Sequence, residues 1–356
     1  MTDRIAAEAI RWFGDIGLTD RATVGGKGAS LGELTRAGID VPPGFVVTTV
    51  AFEAALTAID PAGSLRRRIE QLDPDNLEAM TQVADATRAL FLKAALPASV
   101  TDAVRGAHAQ LAAHEVAVRS SATSEDSADA SFAGLQDTQL CVAGVEPVLS
   151  ALRSCWASLY SRESVSYRLR LNLPERQVAM GVVIQSMLAS GSSGVMFTRS
   201  PLTGDRSVIV IEASFGLGSA IVSGEVTPDK YVINKVTGEI VARTVSDKAV
   251  RHVAAGGSGA GGVRVQTVAE DQRTLPSVSD AQLRELAMLG KRVERHYGTP
   301  QDIEWAIAAG AGGAERVYLL QSRPETVWSR REAQPIARPA ARAYDHVLAT
   351  LYKGDR

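Results

Sequence analysis

Two stretches near the carboxyl end of the chain alternate polar and apolar side chains. They cover residues 302–307 and 317–323. A period of two is typical of β-strands, in which successive side chains point to opposite faces of a sheet. If the two strands are neighbours, their polar faces bring together two carboxylates, an amide and a guanidinium: Asp302, Glu304, Gln321 and Arg323.

This combination of groups favours a divalent metal beside a polyphosphate. Magnesium prefers oxygen ligands and is usually held by one or two carboxylates together with phosphate oxygens. Glu304 and the amide oxygen of Gln321 suit that role, while Arg323 offers the planar donor fork that matches phosphate. The alternative is that these are ordinary solvated residues at strand ends, so other segments must decide between the two interpretations.

The composition bounds the class of protein. A chain of 356 residues can form two or three compact units, and 45% hydrophobic with 22% charged residues is ordinary for a globular protein. The formal net charge of −2 gives no electrostatic reason to expect a nucleic acid or an anionic membrane as partner. Partners must therefore be inferred from sites.

Nothing in the sequence predicts membrane insertion, export or a zinc site. There is no run of about 18 apolar residues and no signal-peptide core at the amino terminus, so we expect a cytoplasmic protein. Cys141 and Cys155 match no zinc spacing and are expected to be buried thiols. The five histidines lack ligand spacing and are expected to be structural or surface residues.

The first half of the chain is predicted to contain a helical insertion. Glycines at 25–28 precede a short amphipathic helix that ends near Gly38. Residues from about 51 to 113 have helical spacing, and prolines interrupt them at positions 61, 74 and 97. A strand at 116–119, a polar loop and one helix from about 147 to 170 follow.

The second half is predicted to be mainly β-structure. Short β-runs begin after Pro174, a Gly/Ser-rich flexible excursion covers 254–262, and a helix covers about 279–297. The expected fold class is α+β. The expected domains are a first lobe at 1–175, a second lobe at 176–328 and a linker or tail at 329–356.

Two glycine segments are candidates for a phosphate or dinucleotide site. The Gly-Gly-Lys-Gly segment at 25–28 lets backbone N–H groups approach an anion, and Lys27 adds a charge, but it lacks P-loop spacing. The turn at 216–218 follows a strand, yet the third glycine of a dinucleotide motif would fall at Ile221. We therefore reject a dinucleotide-binding fold.

Arg119 directly follows an apolar strand core and precedes hydroxyl and acidic residues. That order suits a mobile loop over phosphates, although an ion-paired arginine in a surface turn would have the same sequence. Ser120 and Ser121 invite a serine-nucleophile interpretation, but the Gly-x-Ser-x-Gly segment of such enzymes is missing around them.

Taken together, the segments from about residue 11 to 328 resemble the amino-terminal ATP-binding half of the pyruvate phosphate dikinase and phosphoenolpyruvate synthase family. The resemblance implies an ATP-grasp fold with two lobes, a mixed or antiparallel sheet and a small helical insertion near the N-terminus. The matching segments occur in the family's order, at positions 25–34, 42–45, 118–126, 132–134, 194–198, 302–305 and 320–326.

The resemblance also implies roles for individual residues. Lys27 and Arg119 would contact the ATP phosphates, and Arg323 would lie near the transferring group. A loop through Gly134, Gln136 and Thr138 would close over the phosphates. The remaining implied roles are adenine contact by Gln185, Met187 and Leu188, ribose contact by Glu212, and Mg²⁺ binding by Glu304, Gln321 and Asp302.

The sequence departs from the family pattern in four respects. Leu135 replaces the glutamine that many relatives have in the closing loop, and Ser219 replaces a glutamate after the glycine turn. None of the five histidines lies in a glycine-rich segment ending in Ser/Thr-His, which is where family members accept the phosphoryl group. The substrate domain of the family is missing as well.

These considerations predict a dikinase-type phosphotransferase that uses ATP and Mg²⁺. It would phosphorylate a histidine on a separate domain or subunit, which then passes the group to a small molecule, as in the layout of phenylphosphate synthase. One alternative is an ATP-binding fragment of a single-chain phosphoenolpyruvate synthase or rifampin phosphotransferase. Another is a regulatory module that binds nucleotide without transferring it.

Overall fold

We describe the protein from a computed structural model. The structure describes residues 2–123, 138–256, 261–310 and 312–329. In these ranges the strands are β1 (Ile10–Trp12), β2 (Gly44–Val47), β3 (Glu115–Ala122), β4 (Thr138–Ala143), β5 (Met180–Ser186), β6 (Ser190–Phe197), β7 (Val208–Phe215), β8 (Asp229–Asn234), β9 (Ile240–Thr244), β10 (Val250–Ala254), β11 (Val263–Thr267), β12 (Gln301–Ala309) and β13 (Glu315–Pro324).

The same ranges contain ten α-helices, most of them in the first half of the chain. They are α1 (Thr2–Glu8), α2 (Arg21–Arg36), α3 (Thr49–Ile59), α4 (Ser64–Glu70), α5 (Leu77–Lys93), α6 (Ala98–Leu111), α7 (Val145–Ser158), α8 (Arg162–Arg170), α9 (Ser219–Val222) and α10 (Asp280–Tyr297).

The strands form two main sheets and one hairpin. The first sheet has the order β1-β2-β5-β3-β4, and the second has the order β13-β12-β6-β7-β8-β9. Strands β10 and β11 form a separate two-stranded sheet. All of these strand pairings are antiparallel. Two antiparallel sheets with associated helices confirm the predicted α+β class and agree with an ATP-grasp architecture.

The helical insertion is present and packs on the first sheet. Helices α3 to α6 occupy the predicted region, and Pro97 directly precedes α6. Their core is aromatic: Phe52 stacks on Phe91, Phe91 stacks on Tyr160, and Trp156 meets Phe52 edge to face. Such pairs add about 0.5–1.5 kcal/mol each beyond burial, so the insertion forms one unit with α7 and the sheet.

The helix predicted over 147–170 is two helices. Helix α7 ends at Ser158, and α8 begins after Ser161, whose side chain accepts a hydrogen bond from the backbone N–H of Ser164. A serine in this position satisfies an unpaired donor of a new helix. The apolar spacing continues across the break, which is why the pattern alone indicates one element.

The chain passes from the first sheet to the second after β5. The predicted lobe boundary lies at 175/176, but β5 pairs with β2 and β3 and so belongs to the first sheet. The connection at 187–189 leads directly into β6 of the second sheet. The β-runs after Pro174 look alike in sequence, and only their pairing assigns them to a sheet.

Helix α10 covers one face of the second sheet. Its start is fixed by a capping box in which Ser279 accepts from the N–H of Gln282, and its end is Gly298 with φ 71°. Apolar residues from the helix and the sheet form a core that includes Leu283, Leu286, Ile303 and Trp305. The opposite face of this sheet is left for the first lobe and the site.

The predicted flexible excursion at 254–262 is the connection between the paired strands β10 and β11. Residues 257–260 fall outside the described ranges, but the segment is fixed on their C-terminal side. The N–H of Gly262 donates to the carbonyl of Cys141 at 2.7 Å, and Gly261 forms a bridge with Val142 of β4. Backbone pairing, which composition does not reveal, holds this end.

Two further expectations concern cysteines and membranes. Cys141 and Cys155 are buried free thiols, as predicted, and burial raises the pKa of Cys141 to about 11. Among the helices of the described residues, none combines the length and apolar character needed to span a bilayer.

Candidate functional site

The two alternating stretches at 302–307 and 317–323 pair with each other, as the sequence predicts. Strands β12 and β13 are antiparallel neighbours, with Asp302 opposite Arg323 and Glu304 opposite Gln321. A register shift follows between Glu304 and Trp305. Directly opposed residues project from the same face of a sheet. The four predicted polar side chains therefore form one cluster, and Arg323 Nε lies 3.4 Å from Asp302 Oδ2.

The same register extends the cluster across the sheet to Glu212. Val195 of β6 lies opposite Glu304 on one side and opposite Glu212 of β7 on the other. Glu212 is therefore two strands away from Glu304 on the same face, a separation of about 10 Å at the usual strand spacing. This puts the predicted ribose contact at a distance from the predicted metal position.

Arg119 joins the two sheets. It lies in β3 of the first sheet, and its guanidinium reaches the second sheet, where Nη2 donates to Glu304 Oε2 at 2.8 Å and to Gln321 Oε1 at 2.5 Å. Its Nη1 donates to the carbonyl of Leu320 at 2.7 Å. The Arg119 side chain is only 9% exposed, whereas that of Glu304 is 44% exposed. The ion pair considered from sequence exists, and it links the two main sheets.

Lys27 lies on the helix beside Arg119. Helix α2 begins at Arg21, upstream of the glycines, and contains a kink at Gly25 with φ 73° and ψ 177°. The main helical segment follows Gly25, as expected, but Gly26 and Gly28 lie within that segment and a short helical turn from Arg21 precedes the kink. Lys27 lies in the first turn of the resumed helix, and its Nζ donates to the carbonyl of Ser120 at 2.9 Å.

The predicted closing loop is described only at its end. Gly134 and Gln136 lie outside the described residues, as does Leu135. Thr138 is the first residue of β4 and is directly opposite Arg119. The register thus places one of the three predicted loop residues beside the arginine that bridges the sheets.

The residues predicted to meet adenine lie where the chain crosses between the sheets. Gln185 is 2% exposed, and its amide Nε2 donates to the carbonyl of Pro42 at 3.2 Å. The N–H of Met187 donates to the carbonyl of Glu115 at 3.0 Å, and Leu188 is half-buried in the connection to β6. Gln185 thus lies near the end of β5 in the first sheet, and Met187 and Leu188 lie in the connection to β6 of the second.

The donor set fits magnesium better than a softer metal. Two carboxylates and an amide oxygen lie on adjacent strands at Asp302, Glu304 and Gln321. Over the described part of the chain, no three or more His, Cys, Asp or Glu side chains cluster as a metal site. Magnesium commonly uses one or two carboxylates and takes its other oxygens from water and phosphate, so this small oxygen set is compatible with it.

Sequence reasoning missed the main-chain and hydroxyl groups that hold the cations. The carbonyls of Ser120 and Leu320 accept from Lys27 and Arg119, and Ser121 contacts the kinked helix. Ser30 on α2 also donates to the carbonyl of Ser322 at 2.6 Å, which ties the helix to the second sheet. The Ser-Ser pair after Arg119 is the available sequence signal, but neither the phosphate-loop nor the nucleophile interpretation predicts its contacts with Lys27 and helix α2.

Comparison with known proteins agrees with this geometry. Residues 21–343 match the family model described as "Pyruvate phosphate dikinase, AMP/ATP-binding domain". A rifampicin phosphotransferase from Streptomyces sp is 43% identical over 317 residues, which is 88% of this chain and 35% of the relative. A phosphoenolpyruvate synthase from Aeropyrum pernix is 38% identical over 358 residues, which is 93% of this chain and 44% of the relative.

A second phosphoenolpyruvate synthase, from Pyrococcus furiosus, is 35% identical over 364 residues and again matches 44% of the relative's length. The chain therefore spans less than half the length of these curated relatives, whose printed names are those of phosphotransferases and synthases. The match to the family model covers most of the chain, including the bridging arginine and the strand pair. The chain belongs to the pyruvate phosphate dikinase AMP/ATP-binding domain family.

Proposed function

We propose that this chain binds Mg-ATP between its two lobes and transfers a phosphoryl or pyrophosphoryl group to a histidine on a separate domain or subunit. The observation that carries the proposal is the contact of Arg119, from the first sheet, with Glu304 and Gln321 of the second. A guanidinium beside a carboxylate and an amide oxygen gives both halves of a metal–phosphate site.

The cationic groups would neutralise the charge of the phosphates. Lys27 and Arg119 approach from the first lobe, and Arg323 approaches from β13 of the second. Phosphoryl transfer depends mainly on positioning and on stabilising charge on the phosphate oxygens, so three cations around the phosphates would suit the reaction. Removing one of these cations should lower turnover strongly while it changes the free energy of unfolding little.

Glu304, Gln321 and Asp302 would hold Mg²⁺. When bound, the ion would neutralise charge on the β- and γ-phosphate oxygens. Glu304 is paired with Arg119 at 2.8 Å. Binding therefore exchanges partners: phosphate oxygens take the guanidinium, and the carboxylate becomes free to serve as an oxygen ligand.

The nucleoside would occupy the space between the sheets. Gln185, Met187 and Leu188 border the crossing between lobes and would contact adenine, and Glu212 would contact the ribose. The loop that includes Gly134, Gln136 and Thr138 would cover the phosphates. The position of Thr138 opposite Arg119 supports this assignment.

The acceptor histidine would come from outside this segment. No histidine of the sequence has the glycine-rich Ser/Thr-His surroundings of a family acceptor. The relatives are more than twice as long as the matched region, which leaves room in them for acceptor and substrate domains. The partner would then pass the group to a small molecule, whose identity depends on that partner.

The test supplies the acceptor separately. The purified chain is mixed with Mg²⁺, ATP labelled on the β- or γ-phosphate, and the remaining portion of the Streptomyces phosphotransferase as a separate protein. We expect acid-labile, base-stable label on a histidine of that portion, and no label with the Lys27→Ala variant. Label from the β-phosphate would indicate pyrophosphoryl transfer, and label from the γ-phosphate alone would indicate phosphoryl transfer.

Two outcomes would contradict the proposal in different ways. ATP binding without label on the supplied portion, or on the products of genes neighbouring the chain's own when these are added in its place, would favour a nucleotide-binding regulatory module. An absence of ATP binding would remove the proposal altogether. If label appears only when the two portions are joined in one chain, the fragment interpretation is favoured over a stand-alone subunit.

A further inference from the structure

Helix α2 is interrupted at Gly25, two residues before Lys27. In an unbroken α-helix the N–H of Gly28 would donate to the carbonyl of Val24, four residues earlier. The backbone at Gly25, with φ 73° and ψ 177°, prevents this. Such a conformation is essentially restricted to glycine. The chain therefore leaves one donor and one acceptor to be satisfied by something else.

Ser121 of β3 satisfies both groups. Its Oγ accepts from the N–H of Gly28 at 3.0 Å and donates to the carbonyl of Val24 at 2.8 Å. The hydroxyl is thus inserted into the helical hydrogen-bond ladder, which is one of the recognised causes of a sharp kink. A hydroxyl can serve here because it is both a donor and an acceptor.

The surroundings are shaped for this insertion. Ser121 is fully buried. A Cβ at Gly25 would lie 1.9 Å from the carbonyl oxygen of Ser121, and a Cβ at Gly181 would lie 2.7 Å from that of Val24. Two glycines therefore allow the helix to approach β3 and β5 closely enough for the hydroxyl to reach the ladder.

The insertion connects the two phosphate-binding cations. Ser121 is two residues after Arg119 on the same strand, so both project from one face of the first sheet. Lys27 lies inside the loop that Ser121 closes between Val24 and Gly28, and its amine donates to Ser120 in between. The strand that carries Arg119 thus also sets the position of Lys27.

We propose that Ser121 is a positioning residue that holds Lys27 at a fixed place relative to Arg119. This inference rests on the proposed role of Lys27 in binding ATP phosphate. Without the hydroxyl, Gly28 and Val24 can satisfy each other only if the kink closes, and closure rotates the first turn of the helix. The Ser121→Ala chain would therefore remain folded while Lys27 moves away from the phosphates.

The test is a double-mutant cycle in ATP affinity, measured by calorimetry on the whole chain. We expect Ser121→Ala to weaken ATP binding about tenfold, the effect of one or two hydrogen bonds. In a Lys27→Ala background the same change should have almost no effect, because the lysine through which Ser121 acts is gone. Ser158→Ala is the matched control, since Ser158 is also buried but donates to Cys155 within α7.

The outcomes separate this inference from the function on which it rests. If Lys27→Ala weakens binding but Ser121→Ala weakens it equally in both backgrounds, the positioning role is wrong and the proposed function stands. If Lys27→Ala leaves ATP affinity unchanged, the phosphate role of Lys27 fails and the inference fails with it. Should Ser121→Ala not fold, the cycle is run with Ser121→Cys, whose thiol keeps a weak donor, and the same criteria apply.

Discussion

The two sides of the site are held in different ways. Lys27 and Arg119, the cationic wall, contact main-chain carbonyls of Ser120 and Leu320 at 2.9 and 2.7 Å. The acidic wall consists of Asp302, Glu304, Gln321 and Arg323, which share a face through strand register. Arg119 is 9% exposed, whereas Glu304 and Arg323 are 44% and 45% exposed.

The difference separates fixed groups from exchangeable ones. A buried guanidinium with several acceptors cannot move without leaving polar groups unpaired, which costs about 1–3 kcal/mol for each group. Half-exposed side chains on strands can change partners with water at little cost. Under the proposed function, the buried Arg119 would determine where phosphate binds, and the half-exposed Glu304 and Arg323 would adapt to metal and nucleotide.

The largest expected effect comes from adding a methyl group at the kink of helix α2, next to the cationic wall. Gly25→Ala introduces a disallowed φ and a Cβ 1.9 Å from a backbone oxygen. We expect a loss of about 3 kcal/mol in the free energy of unfolding, from backbone strain and overpacking together. Denaturant unfolding measures it.

The control for this change is a glycine with space around it. Gly106 in α6 is exposed, and a Cβ there meets nothing within 4 Å. Gly106→Ala should stabilise the chain by about 0.5–1 kcal/mol, because alanine favours helix. Equal effects of the two substitutions would show that the kink at Gly25 is not under tight packing.

The second effect comes from removing the residue that connects the walls. Arg119→Ala should weaken ATP binding about 100-fold, since charge-assisted hydrogen bonds contribute about 1.5–3 kcal/mol. Arg162→Ala removes an exposed ion pair with Glu163 at 3.1 Å and should change affinity less than about twofold. Equal affinities of the two variants would contradict a bridging role.

A smaller effect is expected on the acidic wall. Arg323→Ala should weaken ATP binding only about threefold, because its side chain is 45% exposed and its contact with Asp302 is 3.4 Å long. Its effect on turnover with a histidine partner should be larger, if it acts on the transferring phosphate. Arg316→Ala, on the same strand and 57% exposed, is the control and should change neither quantity.

The smallest expected effect concerns His108, which lies away from both walls. It supplies a baseline for the pH dependence of folding stability. Burial lowers the pKa of His108 in the helical insertion. The unfolded chain then binds more protons than the folded one, so stability is complete above a pH of about 6.5 and falls as the pH drops below it. Denaturant midpoints near neutral and mildly acidic pH measure this trend, and His108→Gln should flatten it.

ATP affinity should not follow the His108 trend. An equal change in ATP affinity for wild type and His108→Gln on acidification would assign that change to the site. If the pH dependence of ATP affinity disappears in His108→Gln, the helical insertion is energetically coupled to the ATP site. The site and the insertion would then not be independent.

The acidic wall could be predicted from sequence, and the cationic wall only in part. Alternation reveals which residues of a strand share a face, so Asp302 and Glu304 were placed together before any pairing was known. Lys27 and Arg119 are 92 positions apart, and their meeting depends on how α2 packs against β3. No local pattern encodes that contact.

Other differences between the sequence-based predictions and the structure also arise from contacts between distant segments. The sheet to which β5 belongs, the break between α7 and α8, and the docking of Gly262 on Cys141 are all set by tertiary pairing. The insertion of Ser121 into the hydrogen-bond ladder of helix α2 requires a positive φ at Gly25. A glycine in the sequence permits this conformation but does not predict it. Helix α10, by contrast, begins and ends at its own caps and was predicted nearly to the residue.

The most direct test of the two-wall account is the magnesium dependence of ATP affinity in wild type and in Glu304→Gln, with Glu315→Gln as a control on the same strand pair. Calorimetry with excess MgCl₂ and, separately, with EDTA gives the ratio of the ATP affinities with and without Mg²⁺. We expect Mg²⁺ to strengthen ATP binding about tenfold or more in wild type and in Glu315→Gln, and less than about twofold in Glu304→Gln. An undiminished magnesium effect in Glu304→Gln would contradict the account.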